Sequence, residues 1–136
     1  MIFLDTSYLI AVLDPADQLH SRAVAWSLVV KERLLLTEYV LWECVNYFSM
    51  PRDRPKAHAA VSQIQSDTTA ELAPASPDLF SQGIELHSQR PDKHWSLTDC
   101  ISFIVMQRHK VTKALTFDHN FEEAGYESLL RRDPEL

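Results

Sequence analysis

Short apolar runs recur along this chain, and longer stretches with helical periodicity separate them. The first run is Ile2 to Leu4. A segment this short and wholly apolar reads as a strand buried on both faces, with Asp5 at its C-terminal tip. Thr6 to Leu13 follows as a helix, closed by Asp14-Pro15. From Gln18 to Arg33 the positions Leu19, Ala23, Trp26, Val29 and Val30 recur at helical spacing. Leu34 to Thr37 is a second strand, and Tyr39 to Met50 is an apolar helix that Pro51 stops. The charged connector Arg52-Asp53-Arg54-Pro55-Lys56 leads into a helix from Lys56 to Gln65, and Glu71 to Ala73 is a weak strand signal. Pro77 suits the first position of a helix running to about Ser88. After a loop from Arg90 to Trp95, Ser96 opens a long helix to His109. Ala114 to Phe117 is then a strand ending at Asp118, and a last short element lies near Tyr126. Strands alternating with helices predict one α/β domain, a mostly parallel central sheet of about four or five strands with helices on both faces.

Composition narrows the function. The 136 residues suffice for one hydrophobic core without cross-links. Glycine occurs only at Gly83 and Gly125. That excludes a glycine-rich phosphate loop, which needs several glycines to bring backbone against phosphate. The net charge of −6 argues against a protein that coats duplex nucleic acid. It leaves room for a nuclease, whose carboxylate site attracts phosphate only through metal. Cys44 and Cys100 each follow an acid inside an apolar helical pattern and are expected as free thiols. The apolar start lacks a basic stretch and is too short for a signal peptide or a membrane span, so the expected location is the cytoplasm.

Four acids stand out. Asp5 and Asp118 end strands, and in parallel α/β sheets ligands bind outside the carboxyl ends of strands. Each, taken singly, also reads as a cap of the helix or turn that follows. Ser96-Leu97-Thr98-Asp99 matches a capping box, a role compatible with metal ligation because an acid in the first turn is held stiffly. Glu43 lies mid-helix between Leu41-Trp42 and Cys44-Val45, with no cation at its helical neighbours Tyr39, Asn46 and Tyr47. A helix apolar on nearly every side is expected to be buried, and a carboxylate there is costly unless coordinated.

In order and spacing, Asp5-Thr6, Glu43, Ser96-x-Thr98-Asp99 and Thr116-Phe117-Asp118-His119-Asn120-Phe121 resemble PIN-domain ribonucleases, most closely the VapC-type toxins of bacterial toxin–antitoxin pairs. Leu97 to Phe103, Ala114 to Phe121 and Ala124-Gly125-Tyr126 carry the likeness, which covers nearly the whole chain. The resemblance implies that Asp5, Glu43, Asp99 and Asp118 are catalytic carboxylates that bind Mg²⁺ or Mn²⁺, with Thr6 and Thr116 as supporting hydroxyls. Asn120 stands where some relatives carry a further acid; its amide offers an oxygen but no charge. The resemblance also implies an RNA substrate, a small antitoxin partner and a homodimer.

The residue types suit that chemistry. Hard cations take oxygen ligands, and no histidine or cysteine cluster has zinc spacing. Arg52, Arg54 and Lys56, then Arg90, Lys93 and His94, then Arg108 and Lys110 are candidate RNA contacts, though each group, taken singly, reads first as a solvated connector. His109 and His119 read as solvated surface side chains. Trp95 is a candidate for stacking on an unpaired base or for the core. One rival is a catalytically silent PIN-like module that binds RNA or protein; the presence of all four acids argues against it. Another, a phosphatase of the haloacid-dehalogenase type, requires a second Asp two positions after Asp5, where Ser7 stands.

Overall fold

A computed structural model describes residues 1–135. Five strands form a single parallel sheet: β1 (Ile2–Leu4), β2 (Leu34–Thr37), β3 (Ala70–Ala73), β4 (Lys113–Leu115) and β5 (Glu127–Ser128), in the spatial order β3-β2-β1-β4-β5. Parallel strands require crossover connections, and helices supply them. They are α1 (Thr6–Leu13), α2 (His20–Val29), α3 (Glu38–Tyr47), α4 (Arg54–Ser66), α5 (Pro77–Gln89), α6 (Leu97–Arg108) and α7 (His119–Glu123), and a 3₁₀ turn spans Leu129–Arg131.

The strand order decides where a site can form. From β1 the chain steps outward through β2 to β3, then returns across the sheet to β4 on the other side of β1. Right-handed crossovers put α1 to α4 on one face and α5 and α6 on the other, because the direction of travel reverses. The reversal falls between β1 and β4, and the crevice at their carboxyl ends is the expected binding position in such a sheet. Phe3, Leu35, Leu36, Ala114 and Leu115 fill the sheet interior and are all but fully buried. Phe3, Phe103 and Phe121 pack as an aromatic layer, with Phe103 edge-on to Phe121 at 5.0 Å between centroids.

Several boundaries differ from those expected. β4 ends at Leu115, before the anticipated Phe117. Side-chain hydroxyls take over from the ladder there: Phe117 N–H donates to Ser7 Oγ at 3.3 Å and Asp118 N–H to Thr116 Oγ1 at 3.0 Å. Asp118 therefore stands beyond the strand tip and opens α7, a helix the sequence reading did not separate from the final block. Helix α3 stops at Tyr47, short of Pro51, because Phe48 turns into the core. Helix α4 begins at Arg54, two residues early, since Pro55 fits its first turn. Helix α2 covers His20–Val29 only; the backbone is extended at Val30 to reach β2.

Candidate active site

Asp5 occupies the N-cap position of α1 but makes no side-chain cap bond. Its carboxylate is buried and accepts instead from Thr116 Oγ1 at 2.8 Å and Ser7 Oγ at 3.0 Å. Burial pushes its pKa from 3.8 up to about 6; those two hydroxyls oppose the rise, and the charge of Asp99 adds to it. Capping alone does not account for this acid.

Asp99 caps α6 as its sequence predicted. Ser96 Oγ accepts from Asp99 N–H at 3.0 Å, and Asp99 Oδ2 accepts from Ser96 N–H at 3.1 Å. The same Oδ2 accepts from Asn120 Nδ2 at 3.2 Å. Burial raises the Asp99 pKa, the bond from Ser96 N–H lowers it, and the neighbouring Asp118 raises it again. Asp118 caps α7 by accepting from Asn120 N–H at 2.9 Å, and its other oxygen lies 3.3 Å from Asn120 Nδ2. The Asn120 amide thus donates to two acids at once. Its Oδ1 is buried with no hydrogen-bond partner.

Glu43 differs from expectation. It is exposed, as are Trp42, Asn46 and Tyr47 on the same face of α3; only Val40, Leu41 and Cys44 are buried in this helix. The helix is apolar nearly all round yet lies at the surface, so burial is not what makes Glu43 notable. Thr6 Oγ1 donates to Glu43 Oε1 at 2.7 Å, and Thr6 follows Asp5 directly, so the hydroxyl ties Glu43 to the same rim.

Asp5, Asp99, Asp118, Thr6, Thr116 and Asn120, with Glu43 at the edge, therefore gather at the β1/β4 crevice. No Lys or Arg among the described residues forms an ion pair with any of the four acids; only His119 Nδ1 approaches Asp118, at 3.8 Å. The group is open: no three His, Cys, Asp or Glu side chains among the described residues stand close enough to enclose an ion.

The candidate RNA contacts form ion pairs and hydrogen bonds of their own. Arg52 and Lys56 pair with Asp53, Arg54 Nε donates to Ser49 O at 2.7 Å, Arg90 pairs with Asp92 at 3.0 Å, and Lys93 with Glu123 at 3.2 Å. Trp95 is a core residue, 7% exposed and edge-on to Phe103 at 5.1 Å. His109 is not merely solvated, since its Nε2 lies 2.7 Å from Glu71 Oε2; His119 is exposed as expected. Cys44 and Cys100 are buried and free, and no helix among the described residues is long and apolar enough to cross a membrane. Ser7 was missed as a site residue. A serine two positions after a strand-terminal Asp is the available signal, because that offset lets a hydroxyl reach the carboxylate.

A parallel sheet with buried, uncompensated acids at its switch point defines the class: the chain belongs to the PIN-domain family, whose pattern it matches over residues 2–126. It is 27% identical over 126 residues to the 23S rRNA-specific endonuclease VapC20 of Mycobacterium tuberculosis, an alignment covering 93% of this chain and 95% of that protein. The crystal structure of Mycobacterium tuberculosis VapC20, a toxin that cleaves the sarcin-ricin loop, matches with a TM-score of 0.85 at 26% identity, covering 93% of this chain and 96% of that one. FitAcB from Neisseria gonorrhoeae shares the fold, with a TM-score of 0.65 at 18% identity over 94% and 95% of the two chains.

Proposed function

We propose that this PIN-domain protein is an endoribonuclease that uses Mg²⁺ or Mn²⁺ held by Asp5, Glu43, Asp99 and Asp118, and that it serves in the cytoplasm as the toxin of a type II toxin–antitoxin pair. The supporting observation is a group of carboxylates, two of them buried, assembled without a Lys or Arg to neutralise it. Buried charge of one sign is costly unless something of the opposite sign joins it. The donor set fits a hard divalent cation, and the partnerless Oδ1 of Asn120 is one more oxygen facing no protein donor. The half-buried Asp118 and the exposed Glu43 have the freedom to close the open group. Bound there, the metal supplies phosphate neutralisation and a water acidic enough to become the nucleophile.

The chain's own groups set the stage for that chemistry. Thr116 and Ser7 hold Asp5 in one orientation, Ser96 and Asn120 hold Asp99, and Thr6 holds Glu43. Asn120 spaces Asp99 from Asp118 with an amide, which relieves repulsion that a fifth acid would add. The likeness to VapC20 makes a ribosomal RNA loop the first substrate to try, and a small antitoxin protein the first partner.

The amide variants test the assignment. Asp5→Asn, Asp99→Asn and Asp118→Asn should each lower cleavage of ribosomal RNA in Mg²⁺ by about 10²–10³-fold, the scale of losing one preorganised electrostatic group. Glu43→Gln should act in the same direction. Cleavage at the wild-type rate by any of the three aspartate variants would remove that residue from the site.

A further inference from the structure

Beside the acids, on the side of Ser7 and Asp118, a groove of about 470 Å³ runs toward Ile10, Leu19 and Tyr47. Phe117 lies in it and is 40% exposed, although it stands between two site residues, Thr116 and Asp118. The Arg131 guanidinium covers the ring at 4.8 Å from its centroid. The Phe117 backbone is pinned on both sides: its N–H donates to Ser7 Oγ, and its carbonyl accepts from Arg131 Nη1 at 3.0 Å. Tyr47, 55% exposed, stands on the groove wall edge-on to Phe48 at 4.9 Å. Phe117 and Tyr47 keep 40% and 55% of their surface exposed, and core packing does not explain that exposed part.

Three features identify an occupant. The groove is continuous with the acid rim through Ser7 and Asp118, so what fills it adjoins whatever the acids engage. Its apolar lining and fixed aromatic ring suit the flat face of an unpaired base, which stacks on aromatics whatever its sequence. Arg131, whose Nε pairs with Glu122 at 3.1 Å, and His119 border it and leave nitrogen donors facing a phosphate backbone. The acid at the other end, Asp17, is already engaged by Leu19 N–H at 2.8 Å.

We propose that this groove is a base-stacking subsite, in which an unpaired nucleobase next to the scissile phosphodiester lies on Phe117. The subsite rests on the ribonuclease function proposed above and adds a requirement to it: the substrate presents an unstacked base beside the cut. Trp95, the sequence's candidate for either stacking or the core, is in the core, and the stacking role falls to Phe117. Phe117 and Asp118 are consecutive residues with Cα atoms about 3.8 Å apart, so the stacked base belongs to a nucleotide next to the phosphate at the acids.

Short single-stranded RNAs, each with 2-aminopurine at one position, test the subsite on the intact protein in Ca²⁺. Wild type should quench the fluorophore at one position and not at distant ones. Phe117→Tyr should keep that quenching; Phe117→Leu should lose it and weaken binding about tenfold, the scale of one base–aromatic stack. With Mg²⁺, Phe117→Leu should lower kcat/KM about tenfold on intact RNA but change it little on RNA lacking the base at that position. Wild type that quenches no position, or Phe117→Leu that quenches as wild type does, overturns the subsite. So does a variant equally impaired on RNA without the base, because the ring would then merely position Asp118. Position-specific quenching with no cleavage in Mg²⁺ would leave the subsite standing and refute the nuclease instead.

Discussion

Asp5 carries an electrostatic cost because its carboxylate is buried. A carboxyl at about 6 in the fold, against an ordinary 3.8, prefers its protonated form when folded. The stability this gives is complete below the ordinary value and is lost as pH rises through about 6. By linkage the loss is about 3 kcal/mol in the metal-free protein, for a pKa moving from 3.8 to about 6. Asp5→Asn keeps an acceptor for Thr116 and Ser7 while removing the charge. In EDTA the variant should match wild type near pH 4 and melt higher near pH 7, a widening gap that melting curves read directly. A gap of constant size would contradict the buried-charge account. Asp99 permits a second separation. Asn in its place retains an oxygen for Ser96 N–H, so Asp99→Asn should lower cleavage about 10²–10³-fold yet leave the metal-free protein as heat-stable as wild type or more so. Asp99→Ala loses the cap as well and should cost about 1 kcal/mol. An Asp99→Asn protein that melts lower in EDTA and still cuts RNA would return Asp99 to a purely structural role.

At the scale of elements, the packing of α5 on α6 places Asp99, and Gly83 permits that packing. A Cβ on Gly83 would lie 2.5 Å from Ile101 Cγ1, and Ile101 is 1% exposed with no room to retreat. Alanine is the better helix former by about 1 kcal/mol, but overpacking a core costs about 1–3 kcal/mol. Gly83→Ala should therefore lower stability in chemical denaturation; a more stable variant would show that the helices separate freely. The strands and most helices were legible because short apolar runs and capping residues act locally: Ser96 caps the helix its position suggests, and Ser76 and Thr37, not singled out in the sequence, cap theirs in the same way. Asp5, Asp99 and Asp118 were legible for the same reason, as ends of strands and starts of helices. What was not legible depends on contacts distant in sequence. Nothing near Thr116 reveals that the Ser7 hydroxyl from the first helix helps end β4 early. Nothing near Glu43 reveals that Trp42 and Tyr47 stay exposed, so its expected burial was wrong; what reaches it is the hydroxyl of Thr6, the residue after Asp5. The lysine and arginine groups also make contacts the sequence did not reveal, such as Lys93 with Glu123 and Arg108 with Asp78.

The whole molecule exposes more apolar surface than its own core requires. Trp42 and Met50 on and after α3, and Phe80 and Ile84 on α5, are each between 45% and 65% exposed. Such residues suit contact with a second chain. We expect a homodimer, so light scattering at micromolar concentrations should give twice the chain mass of 15.6 kDa; the single-chain mass throughout would contradict that assembly.

The central claim is that a carboxylate group at the β1/β4 crevice cuts RNA through divalent metal, and one cleavage assay addresses it most directly. Purified protein is incubated with ribosomal RNA in excess EDTA, then with Mg²⁺ or Mn²⁺ restored. The account predicts intact RNA in EDTA and defined cuts once either metal returns. Cleavage at the same sites and rate in excess EDTA would contradict it.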